Sequence, residues 1–451
     1  MQYLTKYALR VLLGLAGIFL IIAQGYAMNL MDAWALALAH DPDYQAARYA
    51  RDAGMEEEQL GVSALLPKVG WDYQQARNYS SVNGARQHNQ RRYTSAVSTW
   101  SLQQPLLDYE AWARYQRGKA GARQAYAQFR EQHLALMVRL FQAWNRVLLE
   151  HEKGVLLLAQ NDTLREQLRL NQRLLQAGEG TQTDLLETRA RVELAEAQLL
   201  EQRDEFDIAV KTLESIIGRP LRSALPGALR DGFHPKPLVH NDFQYWLTMA
   251  VKHNAQLQRL DETLTVAKYD IERQRAGHFP RMSLVANRRN SHSENESNYK
   301  QRYDTGTLGI QVSVPLFSGG AVAAATRQAQ AQYQRTAWEK TRETDAIAVA
   351  LRQHFTILTR LPARIAAYKQ AENAASVLVD ATRKSVIGGE RINLDVLNAW
   401  SQLYNVRSDL ARARHDWLLA WVSLHFYAGT LDDDKLRWLA AQFVEPAVLI
   451  H

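Results

Sequence analysis

The chain has no cysteine among its 451 residues. That removes at once a disulfide scaffold, a thiolate metal site and a cysteine nucleophile. Proline is scarce, 11 in all, and the stretch from Leu107 to Ala177 has none. A large excess of one charge is also missing: 54 Lys and Arg against 47 Asp and Glu give +7, and the surplus is spread along the chain. Its densest cluster is only Arg86, Arg91 and Arg92, so no nucleic-acid partner is expected. Beyond residue 27 no apolar run approaches the ~20 residues that a membrane-spanning helix needs.

Catalytic motifs of fixed spacing are missing as well. There is no His-Glu-x-x-His and no Gly-x-Ser-x-Gly, and Gly118-Lys119 lacks the glycine that a phosphate loop carries five residues earlier. Gly178-x-Gly180 is followed by Thr183 inside a tight turn and does not follow a strand. The 13 histidines are scattered, and Asp432 to Asp434 read as a solvated tail. Asn78-Tyr79-Ser80 matches a glycosylation triplet by chance. No catalytic residue, no cofactor site and no metal site is expected, and the protein is not read as an enzyme.

What is present begins with an export signal over residues 1–27. Lys6 and Arg10 precede an apolar run from Val11 to Ala23, and Gly25-Tyr26-Ala27 supplies the small residues a signal peptidase reads. The run is too short to span a bilayer as a helix.

An internal repeat organises the rest. Leu66-Pro67 returns as Phe279-Pro280, Gln104-Pro105-Leu106 as Val314-Pro315-Leu316, and Gly178-Glu179 with Asp184-Leu185-Leu186 as Gly389-Glu390 with Asp395-Val396-Leu397. Gly218 returns as Gly429, and all four landmarks recur about 210 positions on, in the same order. The expected divisions are a first repeat at 28–217, an irregular connector at 218–241 carrying Pro220, Pro226, Pro235 and Pro237, a second repeat at 242–429 and a tail at 430–451.

Within each repeat the order reads helix, two strands, very long helix, tight turn, helix. Leu107 to Ala177 is dense in strong helix formers, and a helix of that length is a rod of about 105 Å. Its counterpart runs from Gly319 to Ile387, with a kink expected near Leu358 because Pro362 removes a backbone bond. After each turn a heptad can be counted: Leu185, Val192, Leu199, Phe206 and Leu213, then Val396, Leu403, Leu410, Trp417 and Leu424. Smaller residues such as Thr188, Ala195 and Ala209, or Ala399, Ala413 and Ala420, form a companion seam. In the long rods Phe141, Leu148 and Val155 lie on one stripe and Met137, Trp144 and Leu158 on another. Two stripes call for neighbours on two sides, which a ring of helices supplies better than an isolated antiparallel coiled coil.

Two hairpins are expected between the helices. One pairs Lys68 to Asn78 with Tyr93 to Gln103, the other Arg281 to Ser291 with Tyr303 to Val314, and the polar stretches Tyr79 to Arg92 and His292 to Arg302 read as loops. Leu308, Ile310, Val312 and Val314 alternate with Gly309, Gln311 and Ser313, the period of a strand with one apolar face. The strands are long enough to cross a membrane when tilted, and Trp71, Tyr73, Tyr93, Trp100 and Tyr303 suit an interfacial belt. Four strands cannot close a barrel, and open edges are not tolerated in lipid, so several chains are required. Three copies would supply twelve strands.

The doubled unit, Leu66-Pro67, Gln104-Pro105-Leu106-Leu107-Asp108 and the two Gly-Glu turns resemble the TolC-type outer-membrane channel family over essentially the whole mature chain. Gln104 to Arg114 and Asn171 to Leu185 are similar to its branch serving type I secretion of proteases in Gram-negative bacteria. The resemblance implies a mainly α fold with a β membrane section: a homotrimer whose twelve-stranded barrel in the outer membrane continues into a long periplasmic α-helical barrel. It implies contact with outer-membrane lipid, docking to a periplasmic adaptor (membrane fusion protein) and an inner-membrane ABC transporter, and an exported polypeptide as cargo. It also matches Arg391 to an arginine that latches the closed periplasmic tip and Asp395 to an acidic ring at the constriction. Thr183 and Asp184 open the helix after the first turn, where they could cap backbone amides or meet Arg391. Gly178, Gly180, Gly388 and Gly389 give the turns their freedom. Asn398 falls where some relatives carry a second ring acid.

The leading function is therefore the exit duct of a tripartite type I secretion system. Its alternatives are the outer-membrane channel of a multidrug efflux pump and, in another class, a periplasmic coiled-coil scaffold or adaptor with no pore.

Overall fold

The structure, a computed structural model, describes residues 28–84, 87–221, 226–230, 232–293 and 301–444. The expected export segment lies outside the described residues. In chain order come α1 (Leu30–His40), α2 (Pro42–Ser63), β1 (Lys68–Gly84), β2 (Gln87–Leu107), α3 (Tyr109–Gln176) and α4 (Gln182–Ile217). Then follow α5 (Phe243–His253), α6 (Ala255–Arg275), β3 (Arg281–Ser293), β4 (Gln301–Ser313), α7 (Ala321–Ile387) and α8 (Asn393–Tyr427), closed by α9 (Asp433–Ala440). The second six elements repeat the first six in type and order. The protomer is thus internally duplicated, mainly helical, with one β section. The long helices α3 and α7 contain 68 and 67 residues, and α7 continues through Pro362 as one helix.

The chain divides into two compact units, each drawn from both halves of the sequence. A strand unit comprises Ala46–Gln132 and Val251–Ala348; a turn unit comprises Met1–Gln45, His133–Ala250 and Val349–His451.

In the strand unit one antiparallel sheet runs in the order β1-β2-β3-β4. Its register decides what each face carries, since directly paired residues share a face. Val312 pairs with Met282, Ile310 with Leu284 and Leu308 with Ala286. Ala286 in turn pairs with Leu102, and Leu102 with Val69. Two residues further along, Trp71 pairs with Trp100, and the Trp71 indole stacks on Tyr73. One apolar face therefore extends across all four strands. The other carries Gly70, Asp72, Gln74, Ser101, Thr99, Asn287, Thr307, Gly309 and Gln311. Among the described residues β1 and β4 each pair on one side only, so the sheet has two free edges.

The register shifts between Pro105 and Leu107, where proline has no amide to donate. Beside it the Gln104 side-chain amide donates to the Leu65 carbonyl at 2.8 Å, which ties together two of the recurring sequence landmarks. The first hairpin is longer than the sequence suggests. Tyr79 to Arg92, expected as a loop, is strand on both sides of residues 85–86. Apolar alternation marks only the part of a ribbon that needs an apolar face, so a fully polar extension of the same ribbon looks like a loop.

The helices of this unit approach closely. A Cβ on Gly54 would meet the Ala125 Cβ at 2.3 Å, and one on Gly118 would meet the Glu57 carbonyl oxygen at 2.2 Å and the Gly61 Cα at 3.4 Å. Small residues spaced by seven on α2 thus face small residues spaced by seven on α3. Around them Arg117 bridges Glu57 at 3.1 Å and Asp270 at 3.0 Å, and Arg259 bridges Glu131 at 2.5 Å.

In the turn unit the counted heptads form the seams. Val192, Leu199 and Leu213 of α4 are buried, as are all five heptad residues of α8. Each such side chain contributes roughly 1.5–3 kcal/mol of burial. Helix α8 has neighbours on two sides: Leu397 joins Leu164, Val192 and Ala195 of α3 and α4, while Ala399 and Leu403 join Ala375 and Val379 of α7. Asp432 to Asp434 are solvent-exposed as expected, but they open a helix and do not form a tail. Asp432 caps α9, accepting from the Lys435 amide at 2.9 Å, and Leu436 and Leu439 are buried behind it. Three acids at a helix start are favoured by its dipole, a local reason for structure that an acidic run does not advertise.

Candidate functional site

Two turns in the turn unit, between α3 and α4 and between α7 and α8, hold the residues singled out from sequence. Both close in the same way. Glu179 N–H donates to the Leu174 carbonyl at 2.9 Å and Gly178 N–H to Leu175 at 3.1 Å; Glu390 donates to Ser385 at 2.9 Å and Gly389 to Val386 at 3.0 Å. This double bond pattern needs a left-handed residue just past the helix. Gly178 at φ 79° and Gly389 at φ 75° provide it. Gly180 and Gly388 do not share that conformation. At Gly180 closeness matters instead, since a Cβ would come within 2.9 Å of the Leu175 nitrogen.

The cap of α4 is Thr181, two residues before Thr183. Its hydroxyl oxygen accepts from the Asp184 amide at 3.1 Å, and the hydroxyl donates to the Asp184 carboxylate at 2.5 Å. Thr183 lies exposed in the first turn of the helix. Asp184 is half-buried and engaged with its own cap. The start of α8 differs: its capping position is Ile392, which offers no side-chain bond.

Behind the turns lies a buried polar network that the sequence did not mark. Thr188, fully buried, is its hub. The hydroxyl donates to the Asp184 carbonyl at 2.8 Å and accepts from the Asn171 amide at 2.8 Å and the Asn393 amide at 3.1 Å. Asn393 also accepts from Gln167 at 2.8 Å, and Gln167 donates to Asn171 at 3.2 Å. Four side chains thus join α3, α4 and the first residue of α8. Buried polar groups that satisfy one another fix a single arrangement, because losing one partner strands the others. From sequence Thr188 was only a small seam residue. An Asn at the start of one helix opposite Gln and Asn near the end of another was the available signal.

Arg391 is exposed, and no hydrogen bond or ion pair joins it to Thr183 or Asp184 within the described protomer. Asp395 is half-buried on the first turn of α8. Asn398, the position of the missing ring acid, accepts from Arg191 of α4 at 3.0 Å. The turns therefore combine rigid backbone closure, an internal polar tie and outward-facing charge. No nucleophile stands beside a base in this arrangement; what it can do is hold helix ends together or release them.

Comparison with known families finds that the family described as Outer membrane efflux protein matches residues 34–219 and 246–430. The Proteases secretion protein PrtF of Dickeya chrysanthemi is 44% identical over 446 residues, covering 98% of this chain and 96% of its own length. The Alkaline protease secretion protein AprF of Pseudomonas aeruginosa is 41% identical over 444 residues, 96% of this chain and 92% of its own. Among solved structures, the Campylobacter jejuni CmeC outer membrane channel superposes with a TM-score of 0.79 over 92% of this chain and 90% of its own, at 15% identity.

Proposed function

We propose that this chain, which belongs to the outer membrane efflux protein family, is the outer-membrane exit duct of a type I secretion assembly that passes an unfolded, protease-type polypeptide out of the cell. The observation that carries the reading is a four-stranded sheet with one apolar face and two free edges. Such a sheet has unpaired backbone at both sides and cannot stand alone in lipid. Identical copies remove the edges, and three of them close a barrel of twelve strands wide enough for a lumen. The repeats at 28–217 and 242–429 then each contribute one hairpin and one long helix pair to every copy. The two protease-secretion relatives, similar over nearly their whole length, support a polypeptide as cargo. A periplasmic adaptor and an inner-membrane ABC transporter, which supplies the energy, complete the assembly. A multidrug efflux channel is the second reading, favoured by the family's own description. A poreless scaffold has no use for the apolar face.

The turns are the periplasmic gate in this reading. Arg391 has no hydrogen bond or ion pair among the described residues, so its partner in this reading is Thr183 or Asp184 of a neighbouring protomer, and Asp395 lines the constriction. Each such exposed contact is worth ~0.2 to 1 kcal/mol, enough in threes to keep a pore shut and weak enough to yield to a docking partner. Purified, processed protein should run as a trimer in detergent and make lipid bilayers conductive, and Arg391→Ser should raise the single-channel conductance. A monomer that leaves bilayers impermeable overturns the duct. An unchanged conductance in Arg391→Ser removes the latch. Deleting the gene should abolish export of a protease to the medium; a loss of drug resistance with export intact would favour the efflux reading.

A further inference from the structure

The apolar face of the sheet changes character on the hairpin side of Trp71 and Trp100. Arg288 pairs with Gly306 across β4 and with Trp100 across β2. Arg302 pairs with His292, Arg77 with Thr94, and Arg92 with Tyr79, all on that same face by register. All four arginines are exposed. Among the described residues Asp304 is the only carboxylate on this face, and it is taken by the Arg288 guanidinium in two bonds of 3.2 and 2.9 Å. At the same levels the opposite face carries Asp72, Arg289 and, by register, Arg91, a net charge of one against three on this face. Simple solubility of a ribbon would not sort charge by face. No lysine occurs on this face among the described residues, and arginine is the side chain whose fork matches phosphate oxygens. The Arg92 guanidinium lies 5.9 Å from the Tyr79 ring centre, held over an aromatic face.

Height narrows the ligand further. At ~3.3 Å per residue, Arg302, Arg77 and Arg92 stand about 13, 20 and 26 Å along the strands beyond the Trp100 level, less when the strands tilt. A lipid with one phosphate can meet only one rung of such a ladder. We propose that this outward face binds a phosphorylated glycolipid of the outer leaflet, one whose phosphates are spread over a saccharide headgroup. The Trp71, Tyr73 and Trp100 cluster would mark the boundary with its acyl chains. This rests on the sheet crossing the outer membrane, as proposed above.

The test uses the full processed chain in detergent, exchanged into nanodiscs with three probes: rough lipopolysaccharide bearing core phosphates, the same material after phosphatase treatment, and phosphatidylglycerol. Wild type should retain the phosphorylated glycolipid preferentially. Arg77→Gln, Arg92→Gln and Arg302→Gln should each weaken retention by about fivefold. Arg289→Gln on the opposite face should leave it unchanged, and all variants should keep wild-type conductance as a check on assembly. Equal retention of the dephosphorylated material, or an equal loss in Arg289→Gln, overturns the phosphate site. Phosphatidylglycerol retained as well as the glycolipid overturns the ligand class. Wild type that enters no bilayer at all overturns the membrane reading beneath it and is read separately.

Discussion

Thr188→Val is the sharpest probe of the polar tie behind the turns. Valine keeps the shape of threonine, so packing is preserved while the hydroxyl is lost. The wild-type hydroxyl makes three hydrogen bonds at 2.8, 2.8 and 3.1 Å in a fully buried position. Asn171 keeps a second contact, 3.3 Å to the Asp184 carbonyl, and Asn393 Oδ1 keeps Gln167, but among the described residues the Asn393 Nδ2 donor loses its one side-chain acceptor. A stranded buried donor costs about 1 to 3 kcal/mol and each lost bond about 1 kcal/mol, so the tie should weaken by about 3 kcal/mol. That is roughly a 150-fold rise in the equilibrium for local opening. Hydrogen exchange of the detergent-solubilised full chain, followed by mass spectrometry over residues 167–188 and 393–397, reads this directly. Thr188→Ser, which restores a hydroxyl, should recover most of the protection. Exchange in Thr188→Val within threefold of wild type would refute the claim that these side chains hold the helix ends together.

Three further outcomes follow from other parts of the molecule. Gly118→Ala places a Cβ 2.2 Å from the Glu57 carbonyl oxygen, so it should destabilise the chain by about 1–3 kcal/mol in denaturant unfolding; an unchanged midpoint refutes the close helix approach. Ile310→Arg puts a charge on the apolar face and should lower membrane insertion by ~2–4 kcal/mol, while Gln311→Arg on the other face should not; equal effects would mean the faces are assigned wrongly. Burial, reinforced by Lys435, holds the His425 imidazole down to about 3. Since the unfolded chain protonates near 6.5, stability should be full above that pH and fall as pH drops toward 3, by about 5 kcal/mol at most. His425→Gln should flatten that fall, and a pH dependence identical to wild type would assign it elsewhere.

The fold was legible wherever one physical demand repeats along the chain. Seven-residue spacing located the buried seam of α8 to the residue, Val396 through Leu424. Alternation at Leu308 to Val312 identified the apolar face of β4, whereas the four turn glycines, Gly178, Gly180, Gly388 and Gly389, look alike in sequence and only Gly178 and Gly389 are left-handed. The parts missed lack such a period. Tyr79 to Gly84 is strand held by backbone bonds to β2, with no apolar partner face to announce it. Thr181 was passed over as a cap because Thr183 and Asp184 beside it are equally good caps on paper; only the position of the last non-helical residue decides. The network around Thr188 joins residues from 167 to 393, and nothing local distinguishes a buried Asn that meets distant partners from one that faces water.

The two turns look alike in sequence, yet they are anchored differently, and the difference gives the site a direction. Helix α4 starts with its own cap, Thr181 and Asp184 bonding each other across one turn. Helix α8 starts at Ile392 with no side-chain cap, and its first residue, Asn393, is held through Gln167 and Thr188 of the other helix pair. A cap is typically worth about 1 kcal/mol and acts locally. What α8 lacks locally it therefore receives from its neighbours, so its order depends on α3 and α4 staying beside it. Loosening the tie leaves α4 with its cap intact and α8 with nothing in its place. The second turn, which carries Arg391 and Asp395, is the one whose anchoring can be lost while the first keeps its own.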